Sequence, residues 1–134
     1  MLQRVIVVTA AWLEIVVGVT AITALGVMCR LLFAAEPEGA AMPLGRLAGV
    51  ALLALGIACL PSRSAESCRN AVLGLFVYNF GTATLLAWVG IAITLRGALL
   101  WPGVLLHVVI AVALLTQLLA MRRVGALRRI EPER

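Results

Sequence analysis

The sequence is poor in charge and in aromatic side chains. Only 13% of its 134 residues are charged and 5% are aromatic, whereas about a quarter of the residues of a soluble domain are charged. Lysine is absent, so every basic side chain is an arginine. A single core of this size cannot hide so much apolar surface, which excludes an ordinary soluble domain.

Motifs that carry chemistry are also scarce. The three cysteines, Cys29, Cys59 and Cys68, form no CxxC pair and fall at different predicted depths, which disfavours a thiol-disulfide enzyme. One histidine with one intramembrane glutamate does not fill a metal shell, and no methionine is placed to ligate haem. Nucleophile elbows, phosphate loops and zincin motifs are absent. The sequence therefore predicts no metal site and no catalytic residue, and it favours a protein that is not an enzyme.

Apolar residues, in contrast, make up 63% of the chain, and the mean hydropathy is +1.12. A membrane-spanning helix needs about 20 predominantly apolar residues. The sequence predicts an all-α fold, a single transmembrane domain forming an integral membrane four-helix bundle with a basic tail. The predicted spans cover residues 5–28, 44–60, 71–95 and 99–121, and the tail covers 122–134.

The arginines predict the orientation. Four spans place both termini on one side, and eight of the eleven arginines fall on that side, against Arg30, Arg46 and Arg96 on the other. The positive-inside rule then places both termini in the cytoplasm of a bacterial cell, with the protein in the inner membrane. The tail is predicted to lie along the anionic inner leaflet. It has no interleaved aromatics, so we expect no nucleic-acid partner.

Small residues predict how the spans pack. Helices in lipid associate through close backbone approach, which glycine permits. Each predicted span carries glycines along one face, and the second span contains a GxxxG pair. The glycines predicted to pack helices together are Gly18, Gly26, Gly45, Gly49, Gly56, Gly74, Gly81 and Gly103.

Polar residues inside the spans define a candidate site. At about 1.5 Å per residue, Glu14 lies about 14 Å, Asn79 about 12 Å and His107 about 21 Å from the inner ends of their spans. An ionised side chain at the bilayer centre costs about 2.5–3.5 kcal/mol, so Glu14 must be neutral, paired or in a wet cavity. It can pair with His107, or accept a hydrogen bond from Asn79 or Tyr78. Arg46 is expected near the outer mouth of the second span and completes the candidate site.

The stretch LEIVVGVTA around Glu14 resembles the first helix of the small multidrug resistance transporters, which are four-span proteins of similar length. This resemblance implies that Glu14 is a carboxyl group shared between protons and a cationic substrate. The third span reads YNFGTATLLAW and lacks the Trp-Ser-Gly signature of that family.

A second resemblance covers most of the chain. The segments CRLLFAAEPEGAAMPLGRLAGVALLALGIACLP, YNFGTATLLAWVGIAITLRG and LLWPGVLLHVVIAVALL resemble a group of small bacterial four-span proteins similar to the DoxX-like membrane family. Members of the wider group are associated with quinone-linked or sulfur redox complexes as small subunits. The resemblance implies an accessory role in the membrane.

Three functional interpretations follow. The first is a non-catalytic accessory or interaction subunit that packs against itself or a larger membrane complex, with Glu14, Asn79 and His107 tying the bundle together. The second is a proton-coupled transporter or binder of small molecules that uses Glu14 and His107. The third is a quinone- or lipid-handling protein with its ligand in the bundle near Gly81 or Gly103. No dedicated cofactor is predicted beyond the bound lipid or quinone of this third interpretation.

Overall fold

The computed structural model describes residues 2–60, 65–93 and 95–130, and the side chains of these except 2–4, 65–68 and 124–130. Two arginines that contribute to the predicted orientation, Arg63 and Arg134, lie outside the described residues.

The described part of the chain is helical and contains no strand. Four of its helices are long and apolar enough to cross a membrane. The predicted all-α fold and the predicted number of spans are thus confirmed for the described residues. A fifth, short helix follows the first span, and a π-helical turn at Val89–Ile93 extends the third. The α-helices are α1 (Leu2–Thr23), α2 (Leu25–Phe33), α3 (Ala41–Ala58), α4 (Ala65–Trp88) and α5 (Leu100–Ile130).

The first span is shorter than predicted. The sequence predicts one helix over 5–28, but the helix is interrupted at Ala24, whose φ of −134° and ψ of 39° are not helical. The hydroxyls of Thr20 and Thr23 each donate to a carbonyl four residues earlier, both at 2.8 Å, and such bonds often bend helices. The residues beyond Ala24 therefore form the separate helix α2.

The last helix is longer than its predicted span. α5 runs for 31 residues to Ile130, which is about 46 Å at 1.5 Å per residue, whereas the hydrocarbon core is about 30 Å thick. The predicted tail from residue 122 is thus a continuation of this helix as far as Ile130. The helix has no break at residue 122, where the predicted tail begins.

The helices are arranged as two antiparallel hairpins. α1 packs along α3, and α4 packs along α5. α1 also contacts both α4 and α5, whereas α3 touches the second hairpin only slightly. α1 is therefore the central helix that connects the two hairpins.

Glycines bring α1 and α3 into close contact. A Cβ atom at Gly18 would lie 2.7 Å from the backbone nitrogen of Leu53, and one at Gly56 would lie 2.7 Å from the carbonyl oxygen of Ala11. At Gly49 a Cβ atom would lie 2.9 Å from the carbonyl oxygen of Gly18. Because these neighbours are backbone atoms, a larger side chain would force the two helices apart.

Four other predicted packing glycines face side chains of neighbouring residues and not backbone atoms. Gly45 faces the flexible side chain of Leu25, and Gly26 faces the Glu36 carboxyl group. At the other two, an added Cβ atom would make ordinary van der Waals contacts at the nearest, 3.8 Å from Leu55 for Gly74 and 3.6 Å from Leu86 for Gly103.

Gly81 does not pack against another helix in this chain, so that prediction is wrong. It is exposed, and nothing lies within 4 Å of the position that its Cβ atom would occupy. The reason is the rotation of α4, which turns Asn79 into the interior. A residue two positions further along lies on nearly the opposite side of an α-helix.

An apolar cluster joins the two hairpins at one end of the bundle. It combines Val7 and Ala10 of α1 with Cys59 after α3, Leu75 of α4 and Leu114 of α5. The start of α1 and the later part of α5 therefore lie at the same end.

At the opposite end, α2 bonds to the segment that leads into α5. The backbone N–H of Gly97 donates to the carbonyl of Leu32 at 2.9 Å, and that of Leu99 donates to the carbonyl of Leu31 at 2.8 Å. A Cβ atom at Gly97 would collide with the Leu31 carbonyl, so only glycine fits. We call α2 with these two bonds the strap, because it links α1 to the second hairpin.

The glycine contacts predict opposite effects of one added methyl group. Gly18→Ala should lower the free energy of unfolding by about 1–3 kcal/mol, the usual cost of overpacking. Gly81→Ala should leave it unchanged or raise it by up to about 1 kcal/mol, because alanine is the better helix former. Reversible unfolding in mixed micelles measures both variants. Equal stability of the two would show that α1 and α3 do not approach as described.

Candidate functional site

Three helices each contribute one polar side chain to the middle of the bundle. The side-chain amide nitrogen of Asn79 on α4 donates to Oε1 of Glu14 on α1 at 3.3 Å. Nδ1 of His107 on α5 lies 2.7 Å from Oδ1 of Asn79. These three residues, called the polar chain below, connect the two hairpins through a side chain from each of three helices.

Asn79 is the centre of the polar chain. Its amide nitrogen also donates to the carbonyl oxygen of Leu75, one helical turn earlier, at 2.9 Å. A backbone carbonyl only accepts hydrogen bonds, so the Leu75 bond fixes the amide orientation and leaves Oδ1 to accept from His107. Nδ1 of His107 therefore carries a proton. In the neutral imidazole this leaves Nε2 as an acceptor.

The polar chain is buried to different degrees along its length. Glu14 is 2% exposed and Asn79 is fully buried at 0%, whereas His107 is half-buried. A buried polar group left without a hydrogen bond costs about 1–3 kcal/mol. The bonds between Asn79 and its neighbours offset this penalty at the two most buried members.

Tyr78, the residue before Asn79, lies against both ends of the polar chain. Its ring meets the His107 imidazole edge-on, with centroids 5.9 Å apart and planes at 79°. Its side chain also interacts with Glu14. Four of the five residues of the predicted site, Glu14, Tyr78, Asn79 and His107, are thus brought together.

Arg46 lies apart from the other four. It is exposed on α3, the helix that packs almost entirely on α1 through Gly49 and Gly56. The packing face of α3 directs this side chain outward, so Arg46 is not a member of the polar chain, and its expected place at the outer mouth of the second span stays a prediction.

The structure buries a further polar residue, Gln117, that was not predicted from the sequence. It is 4% exposed on α5 and lies ten residues after His107, about 15 Å along the helix. The steps from His107 through Ile110 and Leu114 to Gln117 are three or four residues long, so all four share one face. This spacing was the signal that could have placed Gln117 inside.

The arrangement allows two kinds of chemistry. Side chains of the polar chain can hold helices together, or they can accept and release a proton at a carboxyl or an imidazole group. Among the described residues no group of three His, Cys, Asp or Glu side chains lies close enough together to hold a metal ion.

Comparison with known protein families, with characterised proteins and with solved structures gives no match to this chain. The two family resemblances of the sequence therefore stay predictions, and the function has to be inferred from the site itself.

The central position of Asn79 generates a stability prediction. Asn79→Leu removes the partners of Glu14 and His107 together, so it should lower the free energy of unfolding by about 1–3 kcal/mol. Glu14→Gln keeps an oxygen that accepts from Asn79, and the loss should stay below about 0.6 kcal/mol, the mean for such bonds in membranes. Unfolding in mixed micelles tests both.

The control is Thr116→Val, because this hydroxyl is exposed and bonds only within its own helix. It should behave like wild type. An Asn79→Leu protein as stable as the control would contradict the central role of Asn79.

Proposed function

We propose that this chain is a non-catalytic, multi-pass protein of the bacterial inner membrane that serves as an accessory or interaction subunit. The observation that carries the proposal is the polar chain. Its most buried members, Glu14 and Asn79, bond each other across two helices, so they act as interior clamps. Because these polar groups bond each other inside the bundle, we expect the protein to bind its partners through its outer surface.

The proposed orientation has both termini in the cytoplasm. It is supported by the apolar cluster, which places the start of α1 and the later part of α5 at one end. The predicted majority of arginines falls at that same end, and positive residues favour the cytoplasmic side. Labelling of Cys29, at the opposite end, with a membrane-impermeant thiol reagent in intact cells tests this orientation.

The proposed partner surface is the outer face of α3. Leu44, Leu47 and Val50 are 62%, 64% and 53% exposed on it, and Arg46 lies exposed among them. An arginine facing lipid must bend toward water or find an acceptor. A partner helix with a carboxylate or a free carbonyl would bond Arg46 and cover the three apolar side chains.

The resemblance to the DoxX-like family supports the same proposal, because it implies a small subunit of a quinone-linked or sulfur redox complex. A second copy of this chain is the other partner that the proposal allows. Both partners would cover the outer face of α3.

The partner surface predicts position-dependent cross-linking. A photoreactive amino acid replacing Leu47 should join this chain to a protein of the same membrane, either a larger subunit or a second copy. The same amino acid replacing Val109, which is exposed on α5, should react with lipid only. Mass spectrometry after irradiation of intact membranes identifies the products. Lipid adducts alone at both positions would rule out the α3 surface.

Proton-coupled transport is the second candidate function. The observation that favours it is the continuous sequence of hydrogen bonds from His107 through Asn79 to Glu14, together with the resemblance of LEIVVGVTA to the small multidrug resistance transporters. In this function Glu14 would release its proton when a cationic substrate binds.

If the protein exchanges protons for a cationic substrate, the internal pH of liposomes that contain it should change when a gradient of the lipophilic cation ethidium is imposed. Glu14→Gln should abolish this proton movement because a side-chain amide does not ionise at neutral pH. Thr116→Val should retain it. Identical proton movement in wild type, Glu14→Gln and protein-free liposomes would exclude this candidate for ethidium.

A further inference from the structure

An open groove of about 390 Å³ runs between α4 and α5. It is lined by side chains other than those of the polar chain, and it lies within the membrane-spanning parts of both helices. The residues that define its walls are Phe76, Phe80 and Ala83 on α4 and Val104, Val108 and Leu115 on α5.

The groove is apolar along its whole length. Its one polar lining residue, Thr84, donates its hydroxyl hydrogen bond to the carbonyl of Phe80 at 2.9 Å. The stacked rings of Phe76 and Phe80, with centroids 5.9 Å apart, form one wall. From Phe76 to Ala87 the groove extends about 16 Å. The groove is thus about as long as one acyl chain, which occupies about half of the 30 Å hydrocarbon core.

Arginines follow the groove at one end. Arg69 precedes Phe76 by seven residues, and Arg122 follows Leu115 by seven residues. Residues seven apart lie on nearly the same face of an α-helix, so both arginines share the helix faces that line the groove. Both are exposed, and each lies about 10 Å beyond the apolar part.

We propose that this groove binds a phospholipid with an anionic headgroup. One acyl chain lies against Phe76 and Phe80, and the headgroup phosphate lies between Arg69 and Arg122. Guanidinium groups bind phosphate oxygens through paired, charge-assisted hydrogen bonds. Basic pockets between membrane helices at the cytoplasmic side are known to hold such headgroups.

The charges favour lipid over a second copy of the chain. Two copies packed groove to groove in the same membrane orientation are related by a two-fold axis along the membrane normal. Such a dimer would bring Arg69 and Arg122 of one copy toward the same residues of the other, and like charges repel. An anionic headgroup instead neutralises both arginines. The inference goes beyond the accessory role and does not depend on it.

The headgroup part is tested by native mass spectrometry of the detergent-purified protein. Phosphatidylglycerol and phosphatidylcholine with identical acyl chains are added in equal amounts. The wild type should retain the anionic lipid about tenfold more than the zwitterionic one. In the double variant Arg69→Gln, Arg122→Gln this ratio should fall close to one.

Arg123→Gln is the matched control, because it removes one exposed positive charge at the same end of α5 from a position turned about 100° around the helix from Arg122. It should keep the wild-type ratio. Equal retention of the two lipids by wild type, or an unchanged ratio in the double variant, would overturn the proposal.

The acyl-chain part is tested by filling the groove. Val108→Phe should reduce retention of both lipids several-fold, whereas Val16→Phe on the exposed face of α1 should not. If Val108→Phe lowers the unfolding temperature, Val112→Phe, at a groove position that is 55% exposed, replaces it. Full lipid retention by a folded groove-filling variant would overturn the proposal. The proposal would also be overturned if the wild type formed a lipid-free dimer and the groove-filling variant dissociated that dimer.

Discussion

The fold depends on one side-chain amide. Inside a bilayer no water is present to bond a buried polar group, so each such group must find its partner within the protein. Asn79 can both donate and accept, and it uses its donors for Glu14 and Leu75 and its acceptor for His107. A carboxyl group on one helix and an imidazole on another are thereby satisfied through a third helix.

Two different kinds of contact hold the helices. Between α1 and α3, glycines let the backbones approach so closely that Gly18 leaves no room for a methyl group beside Leu53. Dispersion forces dominate at such a short distance. The contact of α1 with the second hairpin instead combines the apolar cluster, the polar chain and the strap, at three heights along the bundle. With the interior occupied in this way, the outer face of α3 and the groove between α4 and α5 remain on the outside for partners and lipid.

The sequence was sufficient for the number of spans and for the depths of the polar residues, but not for where the first and last helices end. Four spans follow from the apolar runs, and the overlapping depths of Glu14, Asn79 and His107 follow from a helical rise of about 1.5 Å per residue. Rotation about the helix axis is set by packing between helices and is not contained in any one segment. This is why Gly81 was placed on a packing face and Gln117 was missed. The interruption at Ala24 could not be predicted because no proline marks it in the sequence. The central role of Asn79 could be recognised only from the relative positions of all three helices.

The strap has a consequence for how this chain tolerates substitution. Its two bonds join backbone groups, the N–H groups of Gly97 and Leu99 with the carbonyls of Leu32 and Leu31. No side chain takes part, so most residues here can be exchanged without losing either bond. Gly97 is the exception, because its backbone lies against the Leu31 carbonyl. Among natural variants, the exposed positions of the strap should therefore vary in composition around one fixed glycine, whereas the bundle centre should keep its carboxyl, amide and imidazole groups together.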